Sequence, residues 1–334
     1  MGLEKYIIKL TIFILFLFLY LRSAITASSH FSLENFQITD TGVQENAPLI
    51  DNNIVVFRRH ESSVNIYGYD LKKKKEFPLV TKPHDQLPTG FHGTYLIYED
   101  QTGDPTDLAD LRLLNTRTRR DVLVAGGSGS QTSGVTDGKY VVYIDGGACG
   151  TLHAYDIRRG TTKKISDTAC DPLSIWDGIV VWGYAAPGGT DIFGYDLGRN
   201  RTFTVTNEDY YQESPFIYRN TVVWYHYEQG TYGTYQAIKM KNIDNGKETL
   251  VYETNTDSLN HPVLSNKYVV WSQSPSLHIG SVMGKNIKTG EIFEIQEPGD
   301  HQNSHTGPDI WEDIAVWQAW RTGNGDIFAA MLGR

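Results

Sequence analysis

Three histidines stand near two neighbouring chain crossings and are the residues best suited to hold a metal. His261 precedes a proline, and the segment His301–His305 carries two imidazoles with Gln302 between them. Imidazole nitrogens combined with an amide or carboxylate oxygen bind divalent transition metals. The histidines His261, His301 and His305, with an amide or carboxylate nearby, therefore predict a divalent metal site and no other cofactor.

A second group of candidates combines phenol, imidazole and guanidinium groups. A lyase acting on uronic-acid sugars needs a base, often His or Tyr, and an Arg that neutralises the carboxylate. The candidates for these catalytic roles are Tyr225, His226 and Arg321. The candidates for ligand binding are Arg58, His60, Tyr227 and Trp320. These residue types also bind sugars or peptides without catalysis, or pack at sheet edges, and all three interpretations remain open.

The candidates lie in the loops of a repeat that recurs seven times. Each copy has a Pro or small residue, an apolar pair, a polar turn, and β-branched residues that end in an aromatic, as in 48–57 and 172–182. The terminal aromatics stand at Phe57, Tyr98, Tyr143, Trp182, Trp224, Trp271 and Trp317. Because they recur with the period of the repeat, we expect them to pack between neighbouring units.

Each copy continues into two further strands joined by a turn. The segment 191–197 alternates as a half-buried strand does, and 202–206 follows it after a turn. Four short antiparallel strands in about 43 residues form one propeller blade. The last copy lacks its fourth strand, and 36–40 near the N-terminus matches the missing one. The sequence predicts an all-β, closed seven-bladed β-propeller with an N-terminal strand that completes the last blade.

At the level of the repeat, the chain resembles the TolB-type propellers of exported bacterial proteins. The shared pattern is a Pro and Ile, then Asp-Gly-x-Val-Val-Trp as in 177–182, then Asp-Ile-Phe-Gly-Tyr-Asp-Leu at 191–197. The resemblance covers 36–331 and implies the fold more than a function. Such repeats occur in binding scaffolds, translocation partners and polysaccharide lyases.

The histidine segment is also similar to that of the oligogalacturonate lyases, which hold a metal with a separate His and a Gln-x-x-His-x-His segment. Gln302 and His305 match the start of that segment, and His261 matches the separate His, so the resemblance implies a metal held by these three residues. The third His of the segment falls on Gly307, so the match is incomplete at this position.

Composition and the first residues predict an exported, acidic protein. Lys plus Arg number 30 against 39 Asp plus Glu, which disfavours binding to nucleic-acid phosphates. Lys5 and Lys9 precede an apolar run that ends at Leu21, followed by the small residues of 23–28, as in a secretory signal peptide. We expect a leader at 1–27 and one propeller domain at 28–334. An uncleaved anchor is the alternative, and the mature chain has no predicted membrane span.

The two cysteines and one sequon fit an exported chain. Cys149 and Cys170 are expected on the same face of the third blade, where a disulfide forms in an oxidising compartment. Two free thiols are the alternative. The sequon that begins at Asn200 lies in a hairpin turn and is an acceptor for N-glycosylation in a eukaryotic host.

The sequence therefore favours a secreted or periplasmic monomer that binds an extracellular polysaccharide or protein ligand. The alternatives are a polysaccharide lyase or glycoside hydrolase with a His-based site, and a scaffold of an envelope assembly.

Overall fold

Apolar and polar residues alternate along the sequence as they do in half-buried strands. Every regular element in the described ranges is accordingly a β-strand. A computed structural model describes residues 33–101, 109–127, 129–186, 188–230, 233–276, 279–300, 307–320 and 324–333. The predicted leader at 1–27 lies outside these residues. Within them, no helix is both long and apolar enough to cross a membrane.

Twenty-seven strands follow one another along the described chain. They are β1 Glu34–Gln37, β2 Glu45–Asp51, β3 Ile54–His60, β4 Val64–Asp70, β5 Lys75–Val80, β6 Gln86–His92, β7 Tyr95–Asp100, β8 Asp110–Asn115 and β9 Asp121–Ala125. Next are β10 Gln131–Thr136, β11 Tyr140–Asp145, β12 Cys149–Asp156, β13 Thr161–Trp176, β14 Ile179–Ala186, β15 Gly189–Asp196, β16 Arg201–Thr204, β17 Tyr210–Tyr218 and β18 Thr221–Gly230. The last are β19 Gly233–Asn242, β20 Glu248–Thr254, β21 Ser258–Leu264, β22 Tyr268–Ser276, β23 Ile279–Asn286, β24 Ile292–Asp300, β25 Asp309–Trp311, β26 Ile314–Ala319 and β27 Asp326–Met331.

Most strands form four-stranded antiparallel meanders. The orders are β2-β3-β4-β5, β6-β7-β8-β9 and β21-β22-β23-β24. A larger sheet runs from β10 to β20 because β13 pairs with β12 through its first half and with β14 through its second half. A two-residue parallel contact between β15 and β17 extends it to β20.

The chain ends share one sheet, as the offset of the repeat predicts. β1 pairs antiparallel with β27 in the order β1-β27-β26-β25, with Phe36 opposite Ala329. Residues Glu34–Leu332 form one compact unit. The N-terminal strand therefore supplies the outer strand of the last sheet.

The core consists of clusters between successive sheets rather than of one central core. Val56 and Ile66 of one sheet pack with Leu96 and Tyr98 of the next. The aromatics that end the second strands are buried, and Trp224, Trp271 and Trp317 are the largest of the fully buried side chains. This confirms the prediction that they pack between units.

Candidate functional site

Residues of β2, β6, β10, β13, β17, β21 and β25 line one cavity of about 360 Å³, here called the channel. Six prolines of the strands that line it contribute to its wall: Pro48, Pro88, Pro172, Pro215, Pro262 and Pro308. Proline donates no backbone hydrogen bond and is tolerated at strand edges and bulges. The repeated prolines therefore mark the strand edges that face the channel, and they make its wall apolar.

The residue before several of these prolines lies in a β-bulge. Ala47, Ser214 and His261 have φ of 50°, 52° and 49°, and the register shifts beside each of them. Ser133 has φ of 59° at the matching place of the strand that carries Gly134 instead of Pro. His261 thus occupies a bulge that the repeat builds, and it lines the channel.

Gly307 lies directly against His261. A Cβ at position 307 would stand 2.2 Å from the Cβ of His261 and 2.6 Å from its Cγ. The position where the lyase pattern has its third His therefore has no room for a side chain while His261 keeps this place. Gln302 and His305 lie outside the described residues, and the metal site remains a prediction.

A polar cluster, here called the mouth, is formed by Arg58, which lines the channel at one end, and by Glu99, Ser133 and Asp171, which are not part of the lining. Arg58 lines the channel, and its buried Nε donates no hydrogen bond within the described part of the chain. The backbone N–H of Ser133 donates to Oε1 of Glu99 at 3.1 Å. The Ser133 side chain favours the carboxylate form of Asp171, so this bulge residue acts on two carboxyl groups.

Three ionisable groups of the mouth have shifted pKa values. Burial raises the pKa of Glu99, against the opposing effects of the Ser133 N–H and Arg58. Loss of surrounding solvent raises the pKa of Asp171, although this side chain keeps an exposed surface at the rim. Burial lowers the pKa of Arg58, and Glu99 opposes that change. Perturbed ionisable groups gathered in a cleft are typical of functional sites.

The other end of the channel carries aromatic rings. Arg58 pairs with Asn46 at the start of β2, whereas His92 contacts Asp51 at the end of β2, with 3.4 Å between Nδ1 and Oδ1. The nearby carboxylate of Asp51 raises the pKa of His92 against the effect of burial. The ring centroid of His92 lies 6.1 Å from Trp176 and 6.2 Å from Trp311. The polar mouth and the aromatic end therefore lie at opposite ends of one strand.

The catalytic candidates on β18 have different surroundings. Tyr225 and His226 are adjacent in a strand, so their side chains lie on opposite faces. The Tyr225 hydroxyl donates to Oε1 of Gln236 at 2.9 Å, and burial raises its pKa. His226 is 1 % exposed and contacts Oε1 of Glu228 through Nε2 at 2.9 Å. The structure does not bring these two side chains together, and Arg321 lies outside the described residues.

The ligand-binding candidates are divided among three places. Arg58 and His60 share a face of β3, and His60 Nε2 lies 3.1 Å from Nδ2 of Asn46. Burial lowers the pKa of His60. Tyr227 packs on Tyr211 with 5.8 Å between ring centroids, and Trp320 follows β26 partly buried. Of the four, only Arg58 and His60 lie together near the mouth.

Several polar residues of the crossing loops bond the backbone of their own turn. Gln86 donates through Nε2 to the carbonyls of Pro83 and His84. Gln131 and Gln212 likewise donate to carbonyls two or three residues earlier, those of Gly129 and Asp209. These side chains therefore support the sharp turns between successive sheets.

Cys149 and Cys170 form the predicted disulfide between β12 and β13. Among the described residues, no group of three His, Cys, Asp or Glu side chains is placed to hold a metal ion.

Sequence reasoning did not identify Glu99 and Asp171 as parts of one site. Asp171 was visible as a polar residue before a proline, and Glu99 as the first residue of an acidic loop. Their link through Ser133 depends on three strands that are distant in sequence, so no local pattern reveals it.

Comparison with known proteins gives the fold. No family model and no curated protein sequence matches the chain. An oligogalacturonate lyase in complex with manganese aligns with a TM-score of 0.68 and 12 % identity, over 92 % of this chain and 95 % of that chain. The β-propeller domain of the Trilobed protease from Pyrococcus furiosus, described as having an open velcro topology, aligns with a TM-score of 0.63 and 11 % identity, over 87 % and 94 %.

The WD40 repeats of RRP9 align with a TM-score of 0.61 and 9 % identity, over 90 % of this chain and 97 % of that chain. Identities this low show the fold alone. The four-stranded meanders, the shared sheet of the chain ends and these neighbours together show that the chain is a β-propeller.

Proposed function

We propose that the chain is an exported, closed seven-bladed propeller that binds an extracellular glycan or protein ligand at the mouth of its channel. The proposed domain is 28–334, after a leader at 1–27, and its repeats are of the TolB type. The disulfide is compatible with an extracellular or periplasmic location. A count of the meanders supports seven blades when the large sheet is divided at β13 and at the β15–β17 contact.

The mouth is the observation that carries the proposal. Among the described residues, it offers a hydrogen-bond donor without a partner, Arg58 Nε, beside the carboxyl groups of Glu99 and Asp171. A buried donor left without a partner costs free energy that a ligand acceptor would recover. Sugars and peptide backbones present donors and acceptors together, which suits this mixed lining. Below the mouth, the proline-rich wall provides apolar contact.

The proposal is tested by measuring binding of the purified full chain to glycan and peptide arrays, followed by titration of the ligands that bind. Arg58→Gln is expected to weaken binding about tenfold or more, since hydrogen bonds to charged groups contribute roughly 1.5–3 kcal/mol. Arg117→Gln, which makes the same change in an exposed turn, is the matched control. Equal affinities of both variants and the parent would place the ligand elsewhere.

A polysaccharide lyase is the second candidate. His261 lines the channel, and the lyase of similar fold was solved with manganese. Against it, position 307 has no room for a third histidine beside His261. The assay is absorbance at 235 nm on uronate polymers with and without a chelator. Unsaturated product would contradict a pure binding role, whereas no turnover on any polymer would contradict the lyase hypothesis.

An envelope scaffold would need a contiguous apolar patch on the outer wall. In the described residues, the exposed aliphatic side chains Leu123, Leu250 and Ile292 lie on the outer strands of three different meanders. Singly exposed side chains of this kind are normal for soluble proteins, so we favour ligand binding.

A further inference from the structure

A polar basin with an aromatic rim lies apart from the channel. It has a volume of about 560 Å³, and we call it the basin. Its lining includes Asp191, Asn207, Glu208, Tyr210, His226 and Glu228, none of which lines the channel. The basin is thus a separate cavity, between β15, β18 and the segment that leads into β17.

Exposed rings stand at the rim of the basin. Tyr210 is 43 % exposed, and its φ of 77° is rare for an aromatic residue. Gly189 makes this placement feasible, because a Cβ there would stand 1.6 Å from the carbonyl oxygen of Tyr210. Tyr184, which is 36 % exposed, lies opposite Asp191 in the β14–β15 ladder and therefore on the same face. The ring of Tyr210 is thus open to solvent at the cavity, and Tyr184 lies on the same face with its ring against Phe193.

The polar lining is fixed in place before any ligand arrives. His226 forms the floor, with Nδ1 at 3.3 Å from Nε2 of Gln212 and Nε2 at 2.9 Å from Oε1 of Glu228. Lys239 donates from Nζ to Oε2 of Glu208 at 2.9 Å. The side chains of Glu208 and Glu228 nevertheless remain 36 % exposed. Fixed acceptors that still present surface are preorganised to receive donors.

The charge of the basin selects among ligands. Among the described residues, the carboxylates of Asp191, Glu208, Asp209 and Glu228 line the basin, and the ammonium of Lys239 pairs with Glu208. The excess of negative charge repels a uronate and attracts a cation. A sugar ring presents an apolar C–H face and several hydroxyls, which match an exposed tyrosine ring and spaced carboxylate and amide oxygens. A lysine side chain offers one charge and no such face.

We propose that the basin binds an amino sugar residue of a glycan, with the pyranose face on Tyr210 and the ammonium group among the carboxylates. The site does not depend on the proposed role of the channel mouth, since the two share no lining residue. A chain with an inactive mouth would still bind the amino sugar.

The test is calorimetric titration of the full chain with glucosamine oligomers, N-acetylglucosamine oligomers and galacturonate oligomers. Glucosamine oligomers are expected to bind at least about tenfold more tightly than the acetylated ones, because acetylation removes the charge. Glu228→Gln and Tyr210→Ala are each expected to weaken binding about tenfold, and Tyr210→Phe to retain it. Glu291→Gln, in an exposed turn, is the charge-matched control, and Arg58→Gln should leave this binding unchanged.

Several results would overturn the proposal. These are equal binding of acetylated and free amines, preferred binding of galacturonate, no binding of glucosamine oligomers, or tighter binding of oligolysine that Tyr210→Ala does not weaken. Should Glu228→Gln unfold through its contact with His226, Asp209→Asn replaces it, since the Asp209 side chain is exposed. A folded Asp209→Asn chain with unchanged affinity for glucosamine oligomers would likewise contradict the assignment.

Discussion

Adding a single methyl group at Gly307 should disturb the channel more than most surface substitutions. The new Cβ would stand 2.2 Å from the Cβ of His261. Carbon atoms in contact normally lie about 3.5–4.0 Å apart, so the overlap exceeds roughly 1 Å. Because a Cβ is fixed to its backbone, no rotamer change of His261 relieves it. Overpacking of this kind costs about 1–3 kcal/mol, and we expect Gly307→Ala to lie near the upper end.

A double-mutant cycle isolates the contact. His261→Gly removes the obstructing Cβ and suits the left-handed φ of 49° at this bulge, whereas His261→Ala keeps the Cβ. We expect a coupling free energy of about 2 kcal/mol between Gly307→Ala and His261→Gly, and little coupling with His261→Ala. Urea denaturation of the four chains in each cycle measures it. Additive costs in both cycles would refute the reasoning.

The same contact bears on the lyase hypothesis. Gly307→His completes the Gln-x-x-His-x-His pattern of the segment that contains His305, yet it meets the same obstruction at His261. We expect this variant to lose stability and to gain no manganese-dependent cleavage of galacturonate polymers. A stable variant that acquires such activity would contradict the steric account.

Three further predictions concern stability. Arg59 donates from Nε to the fully buried carboxylate of Glu45 at 2.8 Å. Arg59→Met should therefore lower the free energy of unfolding by about 3–5 kcal/mol, measured by urea denaturation. An unchanged denaturation midpoint would contradict this. The disulfide joins cysteines 21 residues apart, so replacing Cys149 and Cys170 by Ser should lower the free energy of unfolding by about 3 kcal/mol. Adding a reductant should destabilise the parent chain but not this variant. Burial raises the pKa of Asp309 from 3.8 to about 6, which favours the folded chain while this carboxyl is protonated. The contribution of Asp309 to the free energy of unfolding is therefore lost as pH rises from about 3.8 through about 6. Asp309→Asn should flatten the plot of unfolding free energy against pH in that range. Equal plots for the parent and the variant would exclude Asp309 as the cause.

The fold was predictable because each blade repeats the same solution to the same packing problem. Trp224, Trp271 and Trp317 recur with the period of the repeat, and all three are buried between sheets. The pairing of β1 with β27 followed from the missing fourth strand of the last copy. A period of about 43 residues makes such features visible in one sequence.

The candidate site was less predictable because it depends on departures from the repeat. Tyr225 and His226 combine two suitable residue types, but strand alternation separates their side chains. Glu99 and Asp171 stand far apart in the sequence, and both lie beside the bulge residue Ser133. Gly307 gave a signal as the place where the lyase pattern fails, but its steric reason required the position of His261.

The location of a bound ligand tests the central claim most directly. A crystal structure of the chain with the tightest ligand from the arrays should show it at the mouth, accepting a hydrogen bond from Nε of Arg58 and contacting Glu99 or Asp171. Ligand density confined to another surface, with Arg58 Nε still without a partner, would contradict the claim that the mouth is the binding site.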